Sequence, residues 1–401
     1  MDELNMIGRV KEIKHIISWV VEKCVKVVVY CLPMKEQIVL ECESDMDDNP
    51  RAFYEYLLEI GWNQKHRIVW IVRDDDYCRQ KYGAKNVIFI TREKRNLLNR
   101  IKVYYYLRTS WLFVFSHPYW YHKTRKKQIV ANVWHGVPIK GVSLTDNKDN
   151  HKCFDFFIAP TKEVLPFFAK IGFPEEKAII CGAPRLDELF NGNPEEVFSR
   201  LFPYQNGDKV IICMPTYKQC ADKNDSTVRD QFTLEVIRDV NEYILLNSFL
   251  RKNNVHLIIK PHPLQVVDDL WLEDATNIHY INNRLLLDRN IILYRLLGCC
   301  DALISDVSSV IYDYLLLNRP IGILTRCFDQ YTRGFLVENI VDYLPGTNIR
   351  DFDDLVSFVI DCLQDNDRLE EKRQSVSRTV NKLPAGNYCE EFYKLLFCGK
   401  R

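Results

Sequence analysis

Apolar positions along the chain fall in short runs. Residues 37–42, 67–72, 86–90, 111–115 and 129–134 each read as a strand, and 154–159 and 178–181 continue the series. The segments between them are polar with helical spacing, and Pro50 stands where proline can open a helix. The pattern restarts at 209–214, 256–260, 302–305 and 321–324. Short apolar strands alternating with helices predict parallel α/β sheets, and the restart predicts two of them. Residues 191–207, with Gly192, Pro194, Pro203 and Gly207, interrupt the alternation. The boundary expected there separates a domain over 36–195 from one over 196–401.

Residues 1–35 stand apart. Val10, Ile13, Ile17, Val20, Val21, Cys24 and Val28 recur at helical spacing, with Arg9, Lys11, Lys14, Lys23 and Lys26 around them. Such an amphipathic helix suits the protein's own core or an anionic membrane surface. A second stretch interleaves Lys94, Arg95, Arg100, Lys102 and Arg108 with Tyr104, Tyr105, Tyr106 and Trp111, and Arg125, Lys126 and Lys127 follow. Cations and aromatics together suit a lipid headgroup layer, although each cluster alone also reads as a solvated face.

Composition narrows the picture. The 401 residues are 47% hydrophobic and 27% charged, which excludes a disordered or fibrous chain. Lys plus Arg equals Asp plus Glu at 54 each, so a strongly basic nucleic-acid binder is excluded. The 14 cysteines show no ligand spacing, which argues against zinc and for reduced thiols in a cytosolic core. No acidic cluster suggests an obligatory metal, and no cofactor is expected. Residues 16–32 are interrupted by Glu22, Lys23 and Lys26, so neither a membrane span nor a leader is expected, and the location expected is cytoplasmic.

Five segments fall at the C-terminal ends of expected strands, where open α/β sheets bind ligands. Trp134-His135-Gly136 places a histidine able to take a proton from a hydroxyl beside a glycine that permits close approach. Gly182-Ala183-Pro184-Arg185-Leu186-Asp187 presents Arg185, for a phosphate or as a brace, and Asp187, read as a cap for the next helix. Pro215-Thr216-Tyr217-Lys218 offers Thr216 and Lys218 to an anion. Pro261-His262-Pro263 holds a histidine rigidly between prolines. Ser305-Asp306-Val307-Ser308-Ser309 runs from a strand into a helix, where Ser308 or Ser309 reads as the N-cap of an anion site.

In this order, with Asn49-Pro50 and Asp342-Tyr343-Leu344-Pro345-Gly346, the segments resemble the CDP-glycerol glycerophosphotransferase family of teichoic-acid primases and polymerases, over roughly residues 36–350. The resemblance implies a GT-B fold: two Rossmann-like domains with parallel sheets facing a central cleft, the first for the acceptor and the second for the donor. It implies CDP-glycerol or CDP-ribitol as donor and co-substrate. The implied acceptor is a hydroxyl of a lipid-linked saccharide or growing polymer, reached at the inner face of the cell membrane. His135 and His262 fall on the family's catalytic histidines, and Ser308 and Ser309 on its donor-phosphate serines. Asp306, Arg185, Lys218, Thr216 and Gly136 complete the expected donor site. Lys218 departs from the family's usual arginine and loses its bidentate fork. Readings that stay open are a CMP-sialic-acid or UDP-sugar transferase on the same fold and a non-catalytic scaffold of a polymer-assembly complex.

Overall fold

The computed structural model describes residues 20–21, 23–93, 97–117, 123, 125–141, 150–216, 234, 236–262, 276–325 and 334–398. Its strands form two parallel sheets. The first comprises β1 (Lys35–Glu41), β2 (Arg67–Val72), β3 (Val87–Thr91), β4 (Ser110–Phe115), β5 (Ile129–Asn132), β6 (Phe156–Ala159) and β7 (Ala178–Ile180), in the order β3-β2-β1-β4-β5-β6-β7. The second comprises β8 (Lys209–Cys213), β9 (Val255–Ile259), β10 (Ile278–Tyr280), β11 (Ala302–Ser305), β12 (Ile321–Leu324) and β13 (Thr347–Ile349), in the order β10-β9-β8-β11-β12-β13. In each sheet the strand order reverses beside the first strand, between β1 and β4 and between β8 and β11. Those reversals open the crevices in which such sheets bind ligands.

Parallel strands are covered on both faces, so they read as unbroken apolar runs. Ile38, Val39 and Leu40 of β1 are completely buried, as are Val210 and Ile212 of β8. This is why the run-based expectation found eleven of the strands. It missed β10 and β13, which have three residues each with His279 and Asn348 in the middle, so neither makes an apolar run. The strand expected over 129–134 ends at Asn132, whose side-chain oxygen accepts the Trp134 N–H at 2.9 Å and turns the chain.

Contacts divide the chain into two compact units, residues 1–135 with 149–158, and residues 136–148 with 159–401. In the first, residues 23–31 are helical (α1), and α2 (Asp48–Glu59), α3 (Asp75–Tyr82) and α4 (Leu97–Thr109) follow. The second holds α5 (Leu165–Lys170), α6 (Pro194–Ser199), α7 (Val240–Lys252), α8 (Asn283–Asp288), α9 (Leu293–Cys299), α10 (Val310–Tyr314), α11 (Phe352–Leu363), α12 (Glu370–Val380) and α13 (Tyr388–Phe397). Pro194, expected in a linker, opens α6, and the Asn193 side chain caps it. Asp239 and Asp351 cap α7 and α11, whose Leu246, Leu250, Leu355 and Phe358 join Ile211, Leu257 and Ile304 in the core of the second sheet.

Only part of the expected N-terminal helix lies in the described residues. There Val20, Val21, Cys24 and Val28 are exposed, and Val29 is the buried residue. The apolar stripe therefore does not pack on the protein's own core over this stretch. Arg108, expected in a surface cluster, is fully buried, its guanidinium 4.5 Å from the centroid of the Tyr30 ring. Nine cysteines are buried as free thiols among the described residues, with Cys24, Cys31 and Cys398 exposed.

Candidate active site

In the first unit, the ends of β4 and β5 and the helix α2 frame His135. Asn49, fully buried on α2, donates from Nδ2 to the carbonyls of Val133 (3.0 Å) and Trp134 (2.9 Å). Both bonds hold the turn after β5. Trp134 takes a left-handed backbone conformation with φ 44°, and its indole lies against His135 with ring centroids 4.2 Å apart. After β4, the carbonyl of Ser116 stands 2.9 Å from His135 Nδ1. A carbonyl oxygen only accepts, so Nδ1 carries the hydrogen and the neutral ring keeps its lone pair on Nε2. The side chain is exposed. An exposed imidazole with a fixed tautomer is equipped to take a proton from a hydroxyl.

Next to Ser116 is His117, which sequence reasoning missed. Burial, the Arg92 guanidinium and His135 push its pKa down to about 4, so it stays neutral near pH 7. Arg92 pairs with buried Glu41 at 2.6 Å and donates to the Glu43 carbonyl at 2.7 Å, tying β3 to the end of β1. Its only sequence signal was the repeat of a His-Pro pair at a strand end, as at 262–263.

The second unit gathers the donor-site candidates at the ends of β8, β9 and β11. Ser305 Oγ donates to the Met214 carbonyl at 2.6 Å. Buried Asp306 accepts from the Thr216 N–H (3.1 Å), the Thr216 hydroxyl and the Val307 N–H (2.7 Å). Its carboxylate thereby ties the turn after β8 to the turn after β11. On the neighbouring strand, His262 follows buried Pro261 and is half-buried. Lys218 lies outside the described residues, as do Tyr217 and Pro263.

Ser309 occupies the N-cap of α10, yet its hydroxyl makes no capping bond. The N-cap expected at Ser308 or Ser309 is thus Ser309, and its hydroxyl is not spent on the helix. With five residues α10 carries little macrodipole, so hydroxyls and backbone N–H groups matter more than the helix. Gly136 fixes what lies opposite. Its φ is 137°, and a β-carbon there would come within 2.6 Å of Ser309 Oγ and 3.5 Å of Arg185 Nη2. Only glycine permits that approach. Arg185 is buried and bonds Asp313 at 2.8 Å.

Asp187 is a cap, but not of the next helix. Its carboxylate accepts from the N–H groups of Tyr388 (2.9 Å) and Cys389 (2.8 Å) at the start of α13. Burial holds its pKa above the ordinary carboxylate range despite those two bonds. A chain separation of 201 residues hid that partner from the sequence.

The segments thus have the strand-end setting that their order implied. A sequence profile of CDP-glycerol:poly(glycerophosphate) glycerophosphotransferases matches residues 24–398. The chain belongs to that family. Among curated members of the glycerophosphotransferase family, it is 27% identical over 301 residues to a teichoic acid ribitol-phosphate polymerase of Staphylococcus aureus, covering 70% of this chain and 50% of that one. To a teichoic acid glycerol-phosphate transferase of the same organism it is 24% identical over 352 residues, covering 79% and 81%. The chain spans about half the length of that polymerase. Its fold matches the wall teichoic acid polymerase TagF at TM-score 0.74 and 20% identity, with 96% of this chain and 95% of that chain covered. A UDP-GlcNAc 2-epimerase from Neisseria meningitidis matches at TM-score 0.52 and 11% identity, covering 90% and 100%. The α/β fold is GT-B-like, as expected. Among the described residues no group of three or more His, Cys, Asp or Glu is placed to hold a metal ion.

Proposed function

We propose that the chain transfers an alditol phosphate, glycerol phosphate or ribitol phosphate, from its CDP-activated form to a hydroxyl of a lipid-linked saccharide or growing polymer, releasing CMP. The acceptor oxygen attacks the alditol-bearing phosphorus, its bond to CMP breaks, and His135 Nε2 takes the hydroxyl proton. The observation that carries this reading is the bond from His135 Nδ1 to the Ser116 carbonyl, which leaves Nε2 as the base. Gly136, Ser308, Ser309, Arg185 and His262 hold the diphosphate, while Thr216 and Asp306 set the loop beside it. Lys218 supplies a further cation. Positioning and charge stabilisation are the main contributions such transfers need. The relatives named above support an alditol phosphate over a sugar as the group moved.

The test is CMP release from CDP-glycerol and CDP-ribitol, with CMP-sialic acid and UDP-sugars as competitors. Selective turnover of a CDP-alditol is expected, and H135A should lower it about 10²–10⁴-fold. Near-normal turnover by H135A would overturn the base assignment. Turnover of CMP-sialic acid or a UDP-sugar alone would replace the donor.

The same reading puts the chain at a membrane surface, where a lipid-linked acceptor resides. Among the described residues no helix is long and apolar enough to cross a membrane. Support for surface contact comes from α1, where Val27 and Val28 are 66% and 62% exposed beside Lys23 and Lys26. Wild-type protein should float with anionic vesicles, and V27D/V28D should not. Equal flotation of both would remove α1 from the contact.

A further inference from the structure

Segment 182–192 is fastened into the second unit from three sides. On one side, Asp187 caps α13, and a β-carbon at Gly182 would strike the Tyr388 ring. On another, Arg295 of α9 pairs with buried Glu188, and Gly298 of α9 lies so close that a β-carbon would collide with the Leu189 carbonyl. These contacts fix α9 against the segment that carries Arg185. The third side bears on chemistry. Tyr294, one residue before Arg295, donates its hydroxyl to Asp313 Oδ2 at 2.6 Å. Arg185 Nη2 donates to the same oxygen at 2.8 Å, and its guanidinium lies 5.0 Å from the centre of the Tyr294 ring.

Asp313 stands four residues after Ser309, on the helix that Ser309 opens. Its carboxylate joins α10, α9 and the Arg185 turn in one knot. The Arg185 guanidinium and the Ser309 hydroxyl border the same position, the space a side chain at Gly136 would fill. A long arginine left to itself samples many rotamers. Here the tyrosine face and the shared carboxylate hold it in one, before any ligand arrives.

We propose that Tyr294 and Asp313 are positioning residues for the donor diphosphate, acting through Arg185 and α10. The proposal rests on the phosphotransferase reading for the donor's identity, but its content is preorganisation of a guanidinium beside Ser309 for a nucleoside diphosphate. Asp313 has a second conceivable effect, which is to neutralise Arg185 and weaken its hold on an anion. The two effects have opposite signs, so they can be told apart.

The experiment measures CDP binding by calorimetry on full-length wild type, Y294F, D313N, R185K and Y294F/R185K, with melting temperatures alongside. It also measures KM and kcat for CDP-glycerol and CDP-ribitol. Y294F removes one hydroxyl and keeps the ring under Arg185. It should weaken CDP binding about tenfold and raise KM to match, with kcat within about twofold. Y294F/R185K should bind no more weakly than R185K, because the hydroxyl acts through the arginine. D313N should also weaken binding.

Unchanged CDP affinity in Y294F would overturn the proposal, as would tighter binding by D313N. So would a lower melting temperature with KM unaltered, which marks a purely structural role. Wild type that binds CDP with these dependences but turns over neither alditol donor would overturn the proposed reaction and support the positioning role. Wild type that does not bind CDP would overturn both.

Discussion

His135 shows how much of a residue's chemistry is set by one backbone oxygen. The bond from Nδ1 to the Ser116 carbonyl selects the tautomer, and the Asn49 amide holds the turn that aims the ring. Gly136, the next residue, meets a steric demand instead. G136A would force a side chain into φ 137° and against Ser309 Oγ. It should cost about 1–3 kcal/mol of stability and weaken CDP binding. A urea midpoint and a calorimetric titration check the two effects separately. Both residues were visible in the sequence as a Trp-His-Gly turn. Asn49 was visible only as part of a resemblance, because the carbonyls it serves lie 84 and 85 residues away. Tyr294 and Asp313 had no such signal, since each lies inside a short helix rather than in a strand-end turn.

At the scale of elements, single carboxylates tie separate turns together. Asp306 binds one turn to another, and Asp187 binds the Gly-Ala-Pro-Arg turn to α13. D187A should cost about 0.5–2 kcal/mol by leaving the start of α13 uncapped. Close glycine contacts are less tolerant. G298A would push α9 off residues 184–190, and a loss of about 1–3 kcal/mol is expected from the forced shift. Denaturant unfolding reads both. If G298A also weakens CDP binding where D187A does not, α9 is the element that sets Arg185.

Across the whole molecule, acid stability depends on histidines held neutral. His279 Nε2 meets His256 Nδ1 at 2.9 Å, and both rings stack on Phe202. Burial and the neighbouring imidazole lower the His279 pKa to about 4, and burial beside Arg92 does the same for His117. An unfolded histidine titrates near 6.5. Between about pH 6.5 and about pH 4 the unfolded chain therefore binds more protons than the folded one. Stability is fully present above that window and falls as pH drops through it. Thermal melts across the window should show this loss, and H279Q should lose less than wild type. An equal slope in both would show that His279 does not contribute.

The amino-acid order by itself determined the strand runs, the two-sheet α/β class and the strand-end turns, because buried parallel strands and tight turns impose local composition. It also determined family membership, because an ordered set of weak motifs is specific where each alone is not. Tertiary structure decided what the turns do. It gave Asp306 to Thr216, Asp187 to α13 and Asp313 to both Arg185 and Tyr294, and it left the Ser309 hydroxyl uncommitted to its helix. Hydrogen bonds and steric contacts join residues brought together by folding over separations as long as 218 positions, and no local pattern records such partners.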